Sequence, residues 1–367
     1  MKIGIIGAGA IARREHLPDW LSLGRGIEVV MIADVNSDLA KKVAEEFNVK
    51  HWTTKYEDIL SNPSIDIVDV CVPTPMHFEI VMRALAAEKH VLVEKPLTMS
   101  LDHAFQIYKK VIEQKKVLSV VQNYRYMEPA TRAKSRIDSN ALGNIVFING
   151  NALGRFPSGW TANTWLYHDN AVLYDFAPHL IDMILWLHPV PVKRVYAAGS
   201  KYGEGTPFLT SGNILLEFSN NSTAMLDLSW TTGAFLFDLE LHGTGGSLFF
   251  EPMRDRYREI FGSLTPLDET INYFKEMART FAGAISGKYF KRYAKAYSDF
   301  FREFVESIEN NTEPPVTLEQ IIQTMIVLEA SKRSITTNTP ISVSDLLREF
   351  NLPFDLSSRI SGQANKE

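Results

Sequence analysis

Short apolar runs alternate with longer amphipathic segments over the first 122 residues. The apolar runs are rich in Val and Ile and mostly lack polar alternation, as in strands that are covered on both faces; they are Lys2–Gly7, Ile27–Asp34, Ile65–Val72, His90–Glu94 and Val117–Gln122. The segments between them predict helices at Ile11–Leu23, Asp38–Phe47, His77–Glu88 and Leu101–Gln114. Strands that alternate with helices predict right-handed crossovers and a parallel, doubly wound α/β sheet.

The pattern changes after Asn123. Strand-like runs joined by turn residues follow at Ile145–Leu153, Val192–Gly199, Gly212–Phe218, Thr223–Thr232, Phe237–Gly243 and Ser247–Phe250. Helices are predicted at about Leu173–Leu187, and later at Tyr297–Asn310 and Leu318–Thr336. We therefore predict two domains, 1–122 and 123–367. The second is an α+β domain with a large, mostly antiparallel, open-faced sheet, and its C-terminal helices either stay with it or pack back on the first domain.

Composition narrows the class of protein. Hydrophobic residues make up 45% and charged residues 22% of the 367 residues, which is typical of a globular protein in water. A net charge of −5 offers no basic surface for nucleic acid. Neither a signal peptide nor a membrane span is predicted, since charged residues interrupt every apolar run before the roughly 18 residues that a span needs. The single cysteine, Cys71, excludes an intrachain disulfide and a cysteine-based metal site, so we expect a cytoplasmic protein.

A glycine-rich motif lies between the first predicted strand and the first predicted helix: Gly7-Ala8-Gly9-Ala10-Ile11-Ala12, a G-x-G-x-x-A pattern. The first glycine permits a tight turn, the second lets the backbone approach a pyrophosphate, and the small third residue allows close packing of helix on strand. Asp34 ends the second predicted strand, where a carboxylate accepts the hydroxyl groups of an adenosine ribose. The combination predicts a Rossmann dinucleotide-binding domain; a purely structural turn is the alternative.

Asp34 also bears on the choice of dinucleotide. Its carboxylate would repel a 2′-phosphate, and the following Val35-Asn36-Ser37 supplies no cation to accept one. NAD is therefore favoured over NADP. Arg13 and Arg14 keep NADP open, although a solvated position on the first helix explains both of them.

The sequence resembles the glucose–fructose oxidoreductase/inositol dehydrogenase (Gfo/Idh/MocA) family over nearly its whole length. The resemblance is carried by the glycine motif, by Cys71-Val72-Pro73-Thr74-Pro75-Met76-His77, by Glu94-Lys95-Pro96, by Asn123-Tyr124-Arg125-Tyr126 and by Asp175-Phe176-Ala177-Pro178-His179-Leu180-Ile181-Asp182. It implies that the cofactor is held, beyond the glycine motif and Asp34, by Asn36, Val72, Pro73, Thr74, His77, Glu94, Lys95 and Asn123. It implies substrate contacts from Lys95, Arg125, Trp165, His168, Asp175 and His179.

The chemistry of alcohol oxidation leads to the same residues. The reaction needs a group that accepts the hydroxyl proton and a cation beside the developing alkoxide, while a cofactor carries the hydride. Lys95 lies just beyond a predicted strand, at the edge where open α/β sheets bind ligands. Asp175 and His179 are four residues apart on a predicted helix, so the carboxylate can orient the imidazole. Lys95 is predicted to polarise the substrate oxygen and His179 to act as acid/base; a surface lysine and an ordinary helical pair are the alternatives.

The loop before that helix leaves several alternatives open. Asp169-Asn170-Ala171 stands where members of the family often carry a run of glycines, which puts the local substrate contacts in doubt. His168 and Asp169 either select the substrate or belong to a plain loop. Trp160 and Trp165 either stack on a sugar ring or pack between domains. Arg125 either reaches the substrate or anchors a hinge. A metal site is disfavoured because lysine-assisted hydride transfer needs none; the candidate ligands are His168, Asp169, Asp175, His179 and Asp182.

Taken together, the sequence predicts an NAD-dependent oxidoreductase that acts on a hydroxyl or carbonyl carbon of a sugar, inositol or related polyol, with no nucleic-acid or membrane partner. An NAD-dependent glycosidase of the same family and a non-catalytic NAD-binding sugar sensor are the alternatives. One strand alternates Leu226, Leu228 and Trp230 with Met225, Asp227 and Ser229, which a monomer would leave partly uncovered. We therefore expect a homodimer or homotetramer that associates through the open face of the second sheet.

Overall fold

The computed structural model describes residues 1–24, 26–155, 170–203, 206–262, 270–271, 274, 277–278, 281 and 288–350. The chain divides into two compact units, Met1–Asn123 with Ala294–Met325, and Tyr124–Tyr293 with Ile326–Glu367. In the part of the chain that is described, no helix combines the length and the apolar character needed to cross a membrane.

The Val- and Ile-rich runs of the first unit form a six-stranded sheet in which every pairing is parallel. Its strands are β1 (Lys2–Ile6), β2 (Glu28–Ala33), β3 (His51–Thr53), β4 (Ile67–Val70), β5 (His90–Val93) and β6 (Leu118–Val120), in the order β3-β2-β1-β4-β5-β6. Helices α1 (Leu17–Ser22), α2 (Ser37–Glu46), α3 (Tyr56–Ser61), α4 (His77–Ala86) and α5 (Leu101–Gln114) connect them. The predicted parallel, doubly wound sheet is confirmed. Because the strand order reverses between β1 and β4, ligands are expected at the carboxyl ends of these two strands.

The first predicted helix differs from a regular α-helix. It contains a π-helical turn at Ala12–His16, and α1 follows directly at Leu17. A π-turn holds one residue more than an α-turn, which changes the direction in which the following side chains point. His16, Leu17 and Trp20 are all fully buried as a result.

A late segment of the chain completes this unit. Helix α9 (Lys288–Asn310) contributes the fully buried side chains of Phe300, Phe301 and Phe304. The ring of Phe301 lies 4.6 Å from that of Trp20 and 5.1 Å from that of His16, measured between centroids. The first unit therefore takes part of its core from residues beyond position 294.

The second unit is built on an eight-stranded sheet. Its strands are β7 (Ile145–Arg155), β8 (Val192–Ser200), β9 (Ser211–Phe218), β10 (Thr223–Ser229), β11 (Thr231–Gly243), β12 (Ser247–Glu251), β13 (Arg256–Ile260) and β14 (Ile341–Ser342), in the order β13-β12-β11-β7-β10-β9-β8-β14. Only the pair of β7 and β10 is parallel among these pairings, so the mostly antiparallel second sheet is confirmed. The other helices after the first sheet are α6 (Glu128–Asp138), α7 (Ala171–Asp175), α8 (Ala177–Leu187), α10 (Leu318–Thr337) and α11 (Val343–Glu349).

Helix α8 covers one face of this sheet. Gly150 of β7 lets it approach closely, since a Cβ there would lie 3.3 Å from the Leu180 side chain. Leu226, Leu228 and Trp230 are buried, at most 3% exposed, so they belong to the core and not to an open face. The prediction that a monomer would leave these three side chains partly uncovered is therefore wrong. Met225 and Asp227 on the opposite face are only half-buried.

Candidate active site

The two glycines of the turn at the end of β1 have different surroundings. Gly7 has a φ of +101°, and a Cβ there would lie 2.5 Å from the Cys71 carbonyl oxygen after β4. Gly9 meets no such constraint, because a Cβ would have no described atom within 4 Å. Contact with the backbone after β4 therefore explains why residue 7 is a glycine. At Gly9 the space above the backbone is open, and a phosphate group can approach the helix N-terminus there.

Asp34 lies beside this turn. One of its carboxylate oxygens accepts the Ala8 N–H at 2.8 Å, and the other accepts the Asn36 N–H at 2.9 Å. Each oxygen keeps a lone pair that can accept a ribose hydroxyl. The side chain of Asn36 caps α2 by accepting the Leu39 N–H at 3.1 Å. Asp34 thus fixes the turn and is oriented by it.

A cavity of about 150 Å³ opens at these strand ends. Gly9, Asp34, Tyr56, Val72 and Met76 are among the residues that line it. Apolar side chains such as Val72 and Met76 line the cavity beside the Asp34 carboxylate. Such a lining suits the adenine ring and the ribose at the adenosine end of a dinucleotide. Arg13, a candidate for a 2′-phosphate, instead pairs with Glu46 of α2 at 2.7 Å.

The segment after β4 is tied to the segment after β5 by His77. Its ring nitrogens lie 2.8 Å from the Val72 carbonyl oxygen and 3.0 Å from the Pro96 carbonyl oxygen. Burial lowers the pKa of His77, so a neutral ring donates to one of these carbonyls. Thr74 is buried next to it and Pro73 is exposed. His77 therefore links the loop after β4 to the loop after β5.

Lys95 follows β5 at the same edge of the sheet. Its backbone N–H donates to Glu94 Oε2 at 3.0 Å, and its side chain is half-buried. Burial favours a neutral Glu94 carboxyl, but the hydrogen bond and charge of His16, with the charge of Lys95, hold the pKa of Glu94 below its usual range. The peptide bond from Lys95 to Pro96 is cis, which the sequence analysis did not predict. Lys95 is thus placed at the carboxyl end of the sheet, where the sequence predicts it.

Asn123 lies three residues beyond β6, at the start of a 3₁₀ turn (Asn123–Tyr126). The residue is 1% exposed, and within the described ranges no hydrogen-bond partner reaches its Nδ2 atom. A buried amide without a partner is costly, so it fits a position that a ligand completes. Together with the space above Gly9, this agrees with a bound dinucleotide.

This unit also holds a buried polar cluster that was not predicted from the sequence. His16 Nδ1 lies 2.9 Å from Asp69, and Trp20 Nε1 donates to Asp69 at 2.7 Å. Cys71 Sγ lies 3.1 Å from His16 Nδ1, and burial raises the pKa of the Cys71 thiol to about 12. The ligand atoms of His16, Asp69 and Cys71 lie within 4.8 Å of one another, as a metal site would require, but they form hydrogen bonds with one another and with neighbours here. An acid within the apolar strand Ile67–Val70 was the available signal, because a buried carboxylate needs partners.

In the second unit, Asp175 and His179 do not share one helix. The predicted helix at Leu173–Leu187 is divided at Phe176 into α7 and α8. Pro178, near the start of α8, has no N–H to donate to the Tyr174 carbonyl, which explains the interruption. Asp175 therefore ends one helix and His179 lies in the first turn of the next, so the prediction of one continuous helix is wrong, although Phe176 keeps helical dihedral angles (φ −89°, ψ −41°) between them.

His179 is held by aromatic rings. Its ring is stacked on Tyr124 with centroids 4.5 Å apart and an interplanar angle of 17°, and the Phe237 ring is nearly perpendicular to it with centroids 6.4 Å apart. The side chain is half-buried, while Asp175 is 9% exposed. The stack fixes the plane of the imidazole, which an acid/base group needs.

Arg125 lies in a buried ion pair with Asp182. Its Nε and Nη2 atoms donate to the two carboxylate oxygens at 2.8 and 2.6 Å, and its guanidinium lies 5.6 Å from the Trp186 ring. Burial raises the pKa of Asp182, which the Arg125 charge opposes. The pair gives Arg125 a structural role, and its contact with substrate stays a prediction. Trp160, Trp165, His168 and Asp169 lie outside the described residues.

Both parts of the chain match known protein domains. Residues 1–122 match the model of the GFO/IDH/MocA oxidoreductase family, NAD-binding Rossmann fold, and residues 130–249 match the GFO/IDH/MocA C-terminal domain. The chain is 24% identical to the scyllo-inositol 2-dehydrogenase (NAD(+)) of Bacillus subtilis, over 86% of this chain and 89% of that protein. It is 25% identical to the levoglucosan dehydrogenase of Pseudarthrobacter phenanthrenivorans, over 72% and 77%.

A solved structure has the same fold. An oxidoreductase from Agrobacterium radiobacter, in complex with NAD+, L-tartaric acid and magnesium, superposes with a TM-score of 0.79 at 16% identity, over 95% of this chain and 99% of that one.

Proposed function

Because the chain belongs to the GFO/IDH/MocA family of oxidoreductases and its first unit is an NAD-binding Rossmann fold, we propose that it transfers a hydride between NAD and a hydroxyl-bearing carbon of a sugar, an inositol or a related polyol. The observation that carries the proposal is Lys95, whose backbone is held by Glu94 at the carboxyl edge of the sheet. The names of the similar dehydrogenases, which refer to scyllo-inositol and levoglucosan, support the substrate class.

We assign the cofactor to the edge formed by the glycine turn and the following strand ends. The turn would hold the pyrophosphate through Ala8–Ala12, Asp34 would accept the ribose hydroxyls, and Asn123 would donate its buried amide hydrogens. The loop from Val72 to His77 would line the same site. When bound, NAD supplies the hydride acceptor.

The chain's own residues then handle the oxygen and its proton. The Lys95 ammonium donates a hydrogen bond to the substrate oxygen and stabilises the negative charge that develops on it. A ring nitrogen of His179 accepts the proton of the O–H group, and the hydride leaves from the C–H group of the same carbon, so that a carbonyl remains. Asp175 supports the protonated imidazole electrostatically. In the reverse direction His179 returns the proton.

The proposal is tested by screening sugars, inositols and polyols for formation of NADH, followed by its near-ultraviolet absorbance. Turnover of at least one of them is expected. Hydrolysis of an aryl glycoside without net formation of NADH would favour the glycosidase alternative. Binding of NAD and a sugar, without turnover of any compound in the screen, would favour the sensor. A cytoplasmic location stays a prediction from the sequence.

The preference for NAD is expected to depend on Asp34. The double variant Asp34→Ser, Val35→Arg should shift the ratio of kcat/KM values from NAD toward NADP by about 10- to 100-fold, since it removes the repulsive carboxylate and adds a cation. Val35 is 85% exposed, so the arginine is accommodated without repacking. The matched control is Val35→Arg alone, in which Asp34 still repels the 2′-phosphate. A wild-type protein that already uses NADP as well as NAD would refute the role of Asp34.

We also propose that the protein is a homodimer or homotetramer that associates through the face of the second sheet opposite α8. Leu215 and Met225 are paired on adjacent strands of this face and are only half-buried. Analytical ultracentrifugation at micromolar concentration should give a multiple of the 41.5 kDa chain mass, and Met225→Glu should shift it toward the monomer because it would bury an unpaired charge. A monomeric wild type would contradict this proposal.

A further inference from the structure

A continuous line of buried hydrogen bonds runs behind Lys95. Trp20 Nε1 donates to Asp69 at 2.7 Å, and Asp69 faces His16 Nδ1 at 2.9 Å. On the other side of the ring, His16 Nε2 lies 2.9 Å from Glu94 Oε1. The second oxygen of Glu94 accepts the Lys95 N–H at 3.0 Å. The line therefore begins in the core and ends on the backbone of the proposed catalytic lysine.

The charges along this line require a cation at its centre. His16 is fully buried between two carboxylates, and each of its ring nitrogens faces a carboxylate oxygen, so both act as donors only when the ring is protonated. Burial opposes that charge, but Asp69 and Cys71 together, through their charges and hydrogen bonds, raise the pKa of His16 well above its usual value. The rings of Tyr297 and Phe301, 6.0 and 5.1 Å away, enclose the imidazole from α9.

Among the described residues, the hydrogen-bond partners of the Glu94 carboxylate are His16 and the Lys95 N–H. This carboxylate is nearly buried, and a buried carboxylate that loses its cation either takes up a proton or moves toward water. In both cases its hydrogen bond with the Lys95 N–H weakens. Loss of about 1 Å in placement can cost on the order of 100-fold in rate.

We propose that His16 is a positioning residue, which through Glu94 fixes the backbone from which the Lys95 side chain projects. The inference rests on the proposed role of Lys95 as the cation beside the substrate oxygen. The π-helical turn at Ala12–His16 is what turns the imidazole into the interior toward Glu94. Asp69 orients the His16 ring, and Trp20 in turn orients the Asp69 carboxylate.

The test uses a graded series in the full-length protein: His16→Gln, Asp69→Asn and Trp20→Phe. The first removes the cation and the second removes one carboxylate beside it. The third removes the indole N–H that donates to Asp69 and leaves a smaller aromatic ring in the same buried position. The matched control is His188→Gln, which changes an equally buried histidine that pairs with Ser222 in the second unit. Two properties are measured in each variant: hydrogen exchange of the Lys95 amide, and kcat with KM for NAD.

Exchange of the Lys95 amide should accelerate at least about tenfold in His16→Gln, less in Asp69→Asn and least in Trp20→Phe, while amides of β1 keep their wild-type rates. For His16→Gln, kcat should fall about 10- to 100-fold with KM for NAD nearly unchanged. A role in fold stability alone would accelerate exchange across the whole sheet and leave kcat per folded molecule at the wild-type value.

Among the variants that fold, the one with the largest expected effect on Lys95 decides the test. An unchanged rate of exchange at Lys95 overturns the proposal, whether or not a substrate has been found. Selective exchange at Lys95 in a wild-type protein that oxidises no sugar or polyol would support the positioning of Lys95 by His16 and refute the proposed function instead.

Discussion

Lys95→Ala is expected to lower kcat by about 10³-fold or more, because it removes the cation that stabilises negative charge on the substrate oxygen. NAD affinity should stay close to that of the wild type, since the glycine turn and Asp34 carry the pyrophosphate and ribose contacts. The measurements are NADH formation with the best substrate of the screen and NADH binding by fluorescence. Lys50→Ala is the control, because Lys50 is an exposed lysine of the same unit that pairs with Glu28.

A near-native rate in Lys95→Ala would remove Lys95 from the mechanism. A loss of NAD binding in parallel with the loss of rate would instead show that Lys95 serves mainly to hold the cofactor, which would contradict its proposed role beside the substrate oxygen.

Replacement of His179 is expected to cost about 10²–10⁴ in kcat, the usual contribution of a positioned acid/base, and to flatten the pH–rate profile. Two variants separate chemistry from packing. His179→Ala removes the ring, whereas His179→Phe keeps an aromatic ring against Tyr124 but has no group that titrates. Both should lose the same order of rate if proton transfer is the function of His179.

A His179→Phe enzyme with near-native kcat would show that the ring matters only for packing. His103→Ala provides the control, since His103 is also half-buried and stacked, on Phe78 with centroids 3.8 Å apart. This variant should retain the wild-type rate and pH profile.

The sequence predicts those parts of the fold in which a single local pattern of apolar and polar residues determines the secondary structure. The strand Ile67–Val70 is apolar except for Asp69 and is buried on both faces, as in an interior strand of a covered sheet. The strand His51–Thr53 was missed because it is short and mostly exposed at the sheet edge. The parallel pairing of β7 with β10 was missed for another reason: turn signals report only on strands that are adjacent in sequence.

The candidate site was predictable where a residue's position along the backbone determines its function. Gly7, Asp34 and Lys95 lie at strand ends, and strand ends can be located from apolar runs. His16 could not be placed, because its inward direction depends on a π-turn that changes the phase of the helix. The break before Pro178 was within reach, since proline cannot donate inside a helix.

The contribution of residues 294–325 to the first unit bears on how the protein is made. A ribosome that adds about 5–20 residues per second releases the glycine turn within seconds but needs about 15–60 s to reach residue 325. Until then Trp20 and His16 lack the aromatic cover that Phe301 gives them. The nucleotide-binding unit, although encoded first, is therefore among the last parts of the nascent chain to reach its final form, and it depends on successful synthesis of nearly everything downstream.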